Sequence, residues 1–164
     1  MTAWLGELYR WNGQPDLAFA EVRKALDLNP RFWPSYFVQG LTYADQRKWD
    51  QAIEAMRQAG QVNPKARWAV GAMSAAAGRE AEARRVLAEL NKEADSSWTA
   101  LWRGCIYAAL GEKDNAFKSL SYEPHHIWTP WLFSREWETF IKPLHDDPRF
   151  REMQRKMNVP LQGR

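Results

Sequence analysis

The residues of this chain that could do chemistry are few and poorly spaced for it. The histidines are His125, His126 and His145. Two adjacent histidines in a loop cannot both turn to one ion as readily as a pair three or four apart on a helix. No carboxylate or cysteine completes a ligand set by spacing, so the histidines are expected to cap or hydrogen-bond loops, with no metal site. Cys105 is the lone cysteine, which rules out an intramolecular disulfide framework and reads as a small core residue. Glu80, Glu82 and Glu89 alternate with Arg79, Arg84 and Arg85. That is a solvated helix face with i,i+4 pairs such as Glu80–Arg84, not a general acid–base pair. There is no Gly-rich phosphate loop, nucleophile elbow or His–Glu helix motif. No catalytic residue, metal or cofactor is expected.

Binding chemistry is better represented. Ten tryptophans stand in 164 residues, and tryptophan is the residue most enriched at binding hot spots. The 23 basic and 20 acidic residues are interspersed, for a net charge of +3. The densest basic group, Arg149, Arg151, Arg155 and Lys156, is diluted by Asp146, Asp147 and Glu152. A nucleic-acid footprint collects its cations on one face, so no nucleic-acid partner is expected. No apolar run approaches the roughly 20 residues that span a bilayer, and the start lacks the features of a secretory signal. No membrane partner and a cytoplasmic location are therefore expected. The length suggests one domain, burying roughly 70% of its extended-chain surface.

The elements that position these residues announce themselves by an echo of 34 residues. Gly6 recurs as Gly40, Tyr9 as Tyr43, Ala18 as Ala52, Ala25 as Ala59, and Asn29-Pro30 as Asn63-Pro64. A fixed period of that length signals stacked helical hairpins. The first hairpin pairs about Thr2–Asn12 with Pro15–Leu28, where Leu17, Ala18, Val22, Ala25 and Leu26 form one buried stripe. The second runs about Phe32–Arg47 and Asp50–Gln61, with Ala52, Ile53, Met56 and Ala59 as its stripe. Aligning Gly78 with Gly13 and Ala83 with Ala18 puts Gly71 in the place of Gly40 after only 31 residues. The loss is expected in a trimmed connection after Pro64. A fourth unit restores the pattern with Gly104, Tyr107, Gly111 and Ala116.

These residues resemble the tetratricopeptide repeat family. Its hairpins carry a small residue midway along the first helix, an aromatic three residues later, Gly before the turn and two Ala on the second helix. Gly or Ala at the helix crossing lets the backbones approach. The third unit departs from the pattern with Ser74 in place of the tyrosine. The resemblance covers residues 1–121 and implies an all-α, right-handed solenoid of about four antiparallel hairpins, with units at about 1–30, 31–64, 65–95 and 96–121. Residue 1 falls inside the first helix of the family pattern, and no capping residue precedes Trp4, so a segment of a longer protein is expected.

Residues 122–164 are expected to form a capping segment with short helices. Two prolines break its Trp-rich start. Short helices follow at about Glu138–Lys142 and Pro148–Met157, the latter capped by Asp147 with Phe150, Met153 and Met157 as its stripe. The PWL, PLHDDPRF and KMNVP stretches are similar to segments that close tetratricopeptide arrays in bacterial multidomain signalling and regulatory proteins.

In the family, the first helix of each hairpin lines a concave groove that takes ligands. Carried over, that groove comprises Ala3, Glu7, Arg10 and Trp11; Phe37, Leu41, Ala44 and Asp45; Lys65, Trp68, Ala72 and Ala75; and Trp98, Leu101, Trp102, Cys105 and Ala108. The resemblance implies a noncatalytic protein–protein interaction module, a scaffold or the regulatory part of a larger protein. The groove would hold a partner peptide or helix, or the chain's own Trp128–Phe140 stretch, with Trp128, Trp131 and Phe133 as the filling side chains. Competing classes are a homo-oligomerisation element and a regulatory domain of a transcription regulator, kinase or cyclase. The family's carboxylate clamp maps to Ala3, Glu7, Val38, Lys65 and Ala69, where only Lys65 is cationic, so capture of chaperone tails is not expected. Helical-repeat readers of nucleic acid need small polar side chains where this chain has Phe37, Trp68 and Leu101.

Overall fold

The structure, a computed structural model, describes residues 2–121 and 137–156. Every regular element among them is helical. Four hairpins come first: α1 (Thr2–Trp11) with α2 (Pro15–Leu28), α3 (Trp33–Asp45) with α4 (Trp49–Val62), α5 (Ala69–Ala76) with α6 (Glu80–Leu90), and α7 (Ser97–Ala109) with α8 (Lys113–Leu120). Two short pieces follow, α9 (Glu138–Ile141) running into a 3₁₀ turn at Lys142–Leu144, and α10 (Pro148–Lys156).

Local chemistry explains where these helices begin and turn. Pro15 and Pro34 sit in the first turns of α2 and α3, where a missing N–H costs nothing. Ser96 and Thr99 form a reciprocal capping box that starts α7. Asp147 accepts a hydrogen bond from the Arg149 amide at 3.0 Å and so opens α10. The turn inside each hairpin needs a left-handed residue. Gly13, Gly78 and Gly111 provide it, and Arg47 adopts the same conformation in the second unit at φ 58.

Each helix packs most heavily on its hairpin partner, and each second helix packs on the first helix of the next unit. Tight helix crossings depend on glycine. A Cβ at Gly71 would stand 2.7 Å from Val86 Cγ1, and one at Gly104 only 2.5 Å from Leu120 Cγ. The third unit differs from expectation in where its three residues are lost. The connection is a 3₁₀ turn, Pro64–Ala66, capped by the Asn63 side chain, and α5 itself is cut to 8 residues. That turn folds hard against α4: a Cβ on Gly60 would lie 2.8 Å from Arg67 Cα.

One continuous core runs from Phe37 in the second hairpin through Trp102 and Ile106 in the fourth to Trp137, Leu144 and Phe150 in the closing segment. No described helix is long and apolar enough to cross a membrane.

Candidate functional site

The first helices of units two to four present Phe37 and Leu41 from α3, Ala72 from α5, and Leu101, Trp102 and Cys105 from α7 to a common face. Trp68 joins them from just ahead of α5. All of these side chains are buried. The helix α9 lies across this face and contacts α3, α5 and α7. Trp137, Phe140, Ile141 and Leu144 stand at i, i+3, i+4 and i+7, the spacing of one helical stripe, and all four are at most 1% exposed. The Trp137 ring lies 5.0 Å from Trp102 and 6.1 Å from Phe37, while Phe140 lies 6.3 Å from Trp102. Phe37 and Trp102 meet edge to face at 6.2 Å, and Trp98 adds a further edge-on contact to Trp102 at 5.7 Å. Offset and edge-on contacts of this kind add to the burial energy itself.

The remaining carried-over positions are placed differently. Lys65 is exposed, and its carbonyl accepts a hydrogen bond from Trp98 Nε1 at 2.8 Å. Trp11 and Trp98 are half-buried. Trp128, Trp131 and Phe133, together with His125 and His126, lie outside the described residues. Of the clamp positions, Ala3, Glu7, Val38 and Ala69 are buried, leaving Lys65 as the one exposed cation among them. Burial pushes the Cys105 thiol well above its ordinary pKa, so it stays protonated. His145 packs against Phe150 with ring centroids 4.7 Å apart and approaches Glu138 at 3.3 Å. Among the described residues no group of three or more His, Cys, Asp or Glu is arranged to hold a metal ion.

In the first unit the same register holds charge. Glu7 and Arg10 occupy the places of Leu41 and Ala44 one period later, and both are buried. Arg10 grips Glu7 with two bonds, Nε to Oε2 at 3.1 Å and Nη2 to Oε1 at 2.6 Å, and reaches Asp45 on α3 at 2.8 Å. Burial opposes the Arg10 charge, yet Glu7 and Asp45 outweigh it and hold its pKa above the ordinary value. Periodicity alone could not separate this internal bridge from charges offered to a ligand, because a repeat position states where a side chain points and not what covers it.

The second helices show a further pattern that sequence reasoning missed. Neighbouring second helices are tied by ion pairs: Arg79 to Asp50 and Arg57 to Glu82 join the α4 and α6 hairpins, and Arg84 to Glu112 joins α6 to the α8 hairpin. Arg149 to Asp114 joins α10 to α8. Among the described residues no such pair links α2 to α4. Beside α2 lies instead a cleft of about 640 Å³, floored by Phe19 and Tyr43 with ring centroids 4.7 Å apart.

No curated protein matches the chain. Residues 35–66, which cover α3 from its third residue, all of α4 and the 3₁₀ turn, match the model of the tetratricopeptide repeat. The second hairpin is therefore a tetratricopeptide repeat, set within an all-helical array of neighbouring hairpins.

Proposed function

We propose that this chain is a noncatalytic protein-interaction scaffold whose concave groove, in units two to four, holds the chain's own α9 in the place a partner helix would take. The tetratricopeptide match at residues 35–66 supports the interaction class. The observation that carries the groove assignment is the stripe Trp137, Phe140, Ile141 and Leu144 seated on α3, α5 and α7. Spacing of i, i+3, i+4 and i+7 is the mark of helix-in-groove recognition. Burying each large apolar side chain is worth about 1.5–3 kcal/mol, so a competing segment must bring a comparable stripe to displace α9. Phe37, Leu41, Trp68, Leu101, Trp102 and Cys105 then act as a seat for α9. Partners are taken on surfaces that α9 leaves open.

The test is quantitative capture on the immobilised chain, with the contacts mapped by crosslinking. Saturable capture of protein, crosslinked to residues away from α9 and its seat, is the expected result. Capture of nucleic acid alone, or crosslinks from partner to α3, α5 and α7 with α9 released, would contradict the assignment.

A further inference from the structure

We infer that the groove between α2 and α4 is a docking site for a basic peptide segment of a partner protein. The inference rests on the interaction reading above and names one surface that α9 leaves open. Asp16, Phe19 and Asp27 of α2 form one wall, Glu54 and Gln58 of α4 the other, with Tyr43 of α3 between them. The α2 side encloses about 640 Å³ and the α4 side about 360 Å³; Gln39 and Tyr43 line both, so the two are continuous. The groove lies between two described hairpins, where α2 and α4 each pack on α3, and not at an end of the array. Repeat register explains why it is open. Counted from the turn residues Gly13, Arg47, Gly78 and Gly111, the tie Arg57–Glu82 becomes Arg23 and Gln51 one unit earlier. Arg84–Glu112 likewise becomes Phe19 and Lys48. An amide and an aromatic ring thus stand where the later units have charges that tie neighbouring hairpins together.

Charge complementarity selects the occupant. The lining carries the carboxylates Asp16, Asp27, Asp50 and Glu54 against a single cation, Arg23. Asp50 and Glu54 are shared with Arg79 and Arg57, whereas Asp16 and Asp27 enter no ion pair among the described residues. Between these walls the half-buried Phe19 and Tyr43 rings meet at 4.7 Å. Carboxylates beside an aromatic floor suit an arginine or lysine, which lays its apolar stem on the rings and its charge at the rim. Such a lining repels the phosphates of a nucleic acid, and no three of the described carboxylates are arranged to hold a metal ion. The stretches outside the described residues are poor complements: 122–136 carries Glu123, Arg135 and Glu136, and 157–164 the single cation Arg164. At 1.5 Å per residue the wall from Asp16 to Asp27 runs about 16 Å, room for about five extended residues.

Titration of the full chain with the capped hexapeptide Arg-Leu-Arg-Leu-Arg-Leu, followed by ¹H–¹⁵N spectra, tests it. Saturable shifts confined to α2, α4 and the neighbourhood of Tyr43 are expected. Asp16→Asn with Asp27→Asn should raise the dissociation constant at least ~10-fold, and Phe19→Leu at least ~2-fold. Glu80→Gln with Glu89→Gln removes the same charge from α6 and should change it less than ~2-fold. Should Phe19→Leu lose helicity, the exposed Asp16 and Asp27 carry the test alone. Equal weakening by the α6 pair, or equal binding of the peptide with Glu in place of Arg, overturns the site. Overhauser contacts from 122–136 or 157–164 to Phe19 in the free chain overturn it in favour of self-filling. A mass above 19.1 kDa in sedimentation, reversed by the Asp variants, overturns it in favour of a second copy. Silence toward the hexapeptide, with protein still captured away from α9, sinks the groove and leaves the scaffold reading standing. Hexapeptide binding with no protein captured does the reverse.

Discussion

At the scale of single residues, backbone geometry decides more than side-chain chemistry. Arg47 holds φ 58 in the turn where the other three units place Gly13, Gly78 and Gly111. A residue with a Cβ pays roughly 1–2 kcal/mol for that left-handed conformation. Arg47→Gly should therefore raise unfolding free energy by about 1 kcal/mol in a denaturant titration, after the greater unfolded-state entropy of glycine is deducted. The crossing glycines behave oppositely. Gly104→Ala drives a methyl into Leu120, and overpacking of this kind costs about 1–3 kcal/mol; Gly6→Ala, whose nearest obstacle is the Ala18 carbonyl at 3.2 Å, should cost less. The same titration ranks the two. These glycines were legible because a repeat repeats its backbone constraints. The Glu7–Arg10 bridge was not, since both residues stand where the family places ligand contacts.

Asp147 is the residue with the clearest pH signature. Hydrogen bonds from the Arg149 side chain, against a smaller opposing effect of burial, hold its pKa at about 2, below the ordinary 3.8. A depressed carboxylate contributes stability that is fully present above the ordinary value and lost as pH falls through the folded one. Asp147→Asn should accordingly lower the melting temperature at pH 7, and the difference from wild type should shrink as pH falls toward about 2 and vanish below it, where the Asp147 carboxyl is protonated in the folded chain too. Thermal melts across that interval check the sign.

At the scale of elements, the shortened third unit and the seat of α9 are the two departures from regular repetition. The sequence reading expects the missing three residues in a trimmed connection after Pro64. In the structure Asn63 and Pro64 wind that connection into a 3₁₀ turn, and the cost falls on α5. The position of α9 was only partly legible. Its short helix could be read near Glu138, and self-filling of the groove was one of two fillings in view, with Trp128, Trp131 and Phe133 as the side chains. Those three lie outside the described residues, while Trp137, Phe140, Ile141 and Leu144 make the described contacts. Their period is visible in the sequence, but the face that receives them lies in helices 30 to 100 residues away and is set by tertiary packing. Trp137→Ala should cost about 3–5 kcal/mol, the range for deleting a large aromatic from a core. Removing a surface tie such as Arg84, which is half exposed, should cost far less, because solvent screens an exposed ion pair. A denaturant series on both variants separates core from surface contributions.

At the scale of the whole molecule, a solenoid that touches only its neighbours would unfold as a series of weakly coupled units. Here α9 contacts α3, α5 and α7 together, so the array from the second hairpin onward is expected to behave as one cooperative unit, with the first hairpin more weakly coupled. The most direct measurement is hydrogen exchange along the folded chain. If α9 is a permanent occupant of the groove, amides of residues 138–144 exchange as slowly as those of α7 and lose protection with them in a single transition. Exchange of 138–144 at the rate of free peptide while α7 stays protected would show an open groove and contradict the account.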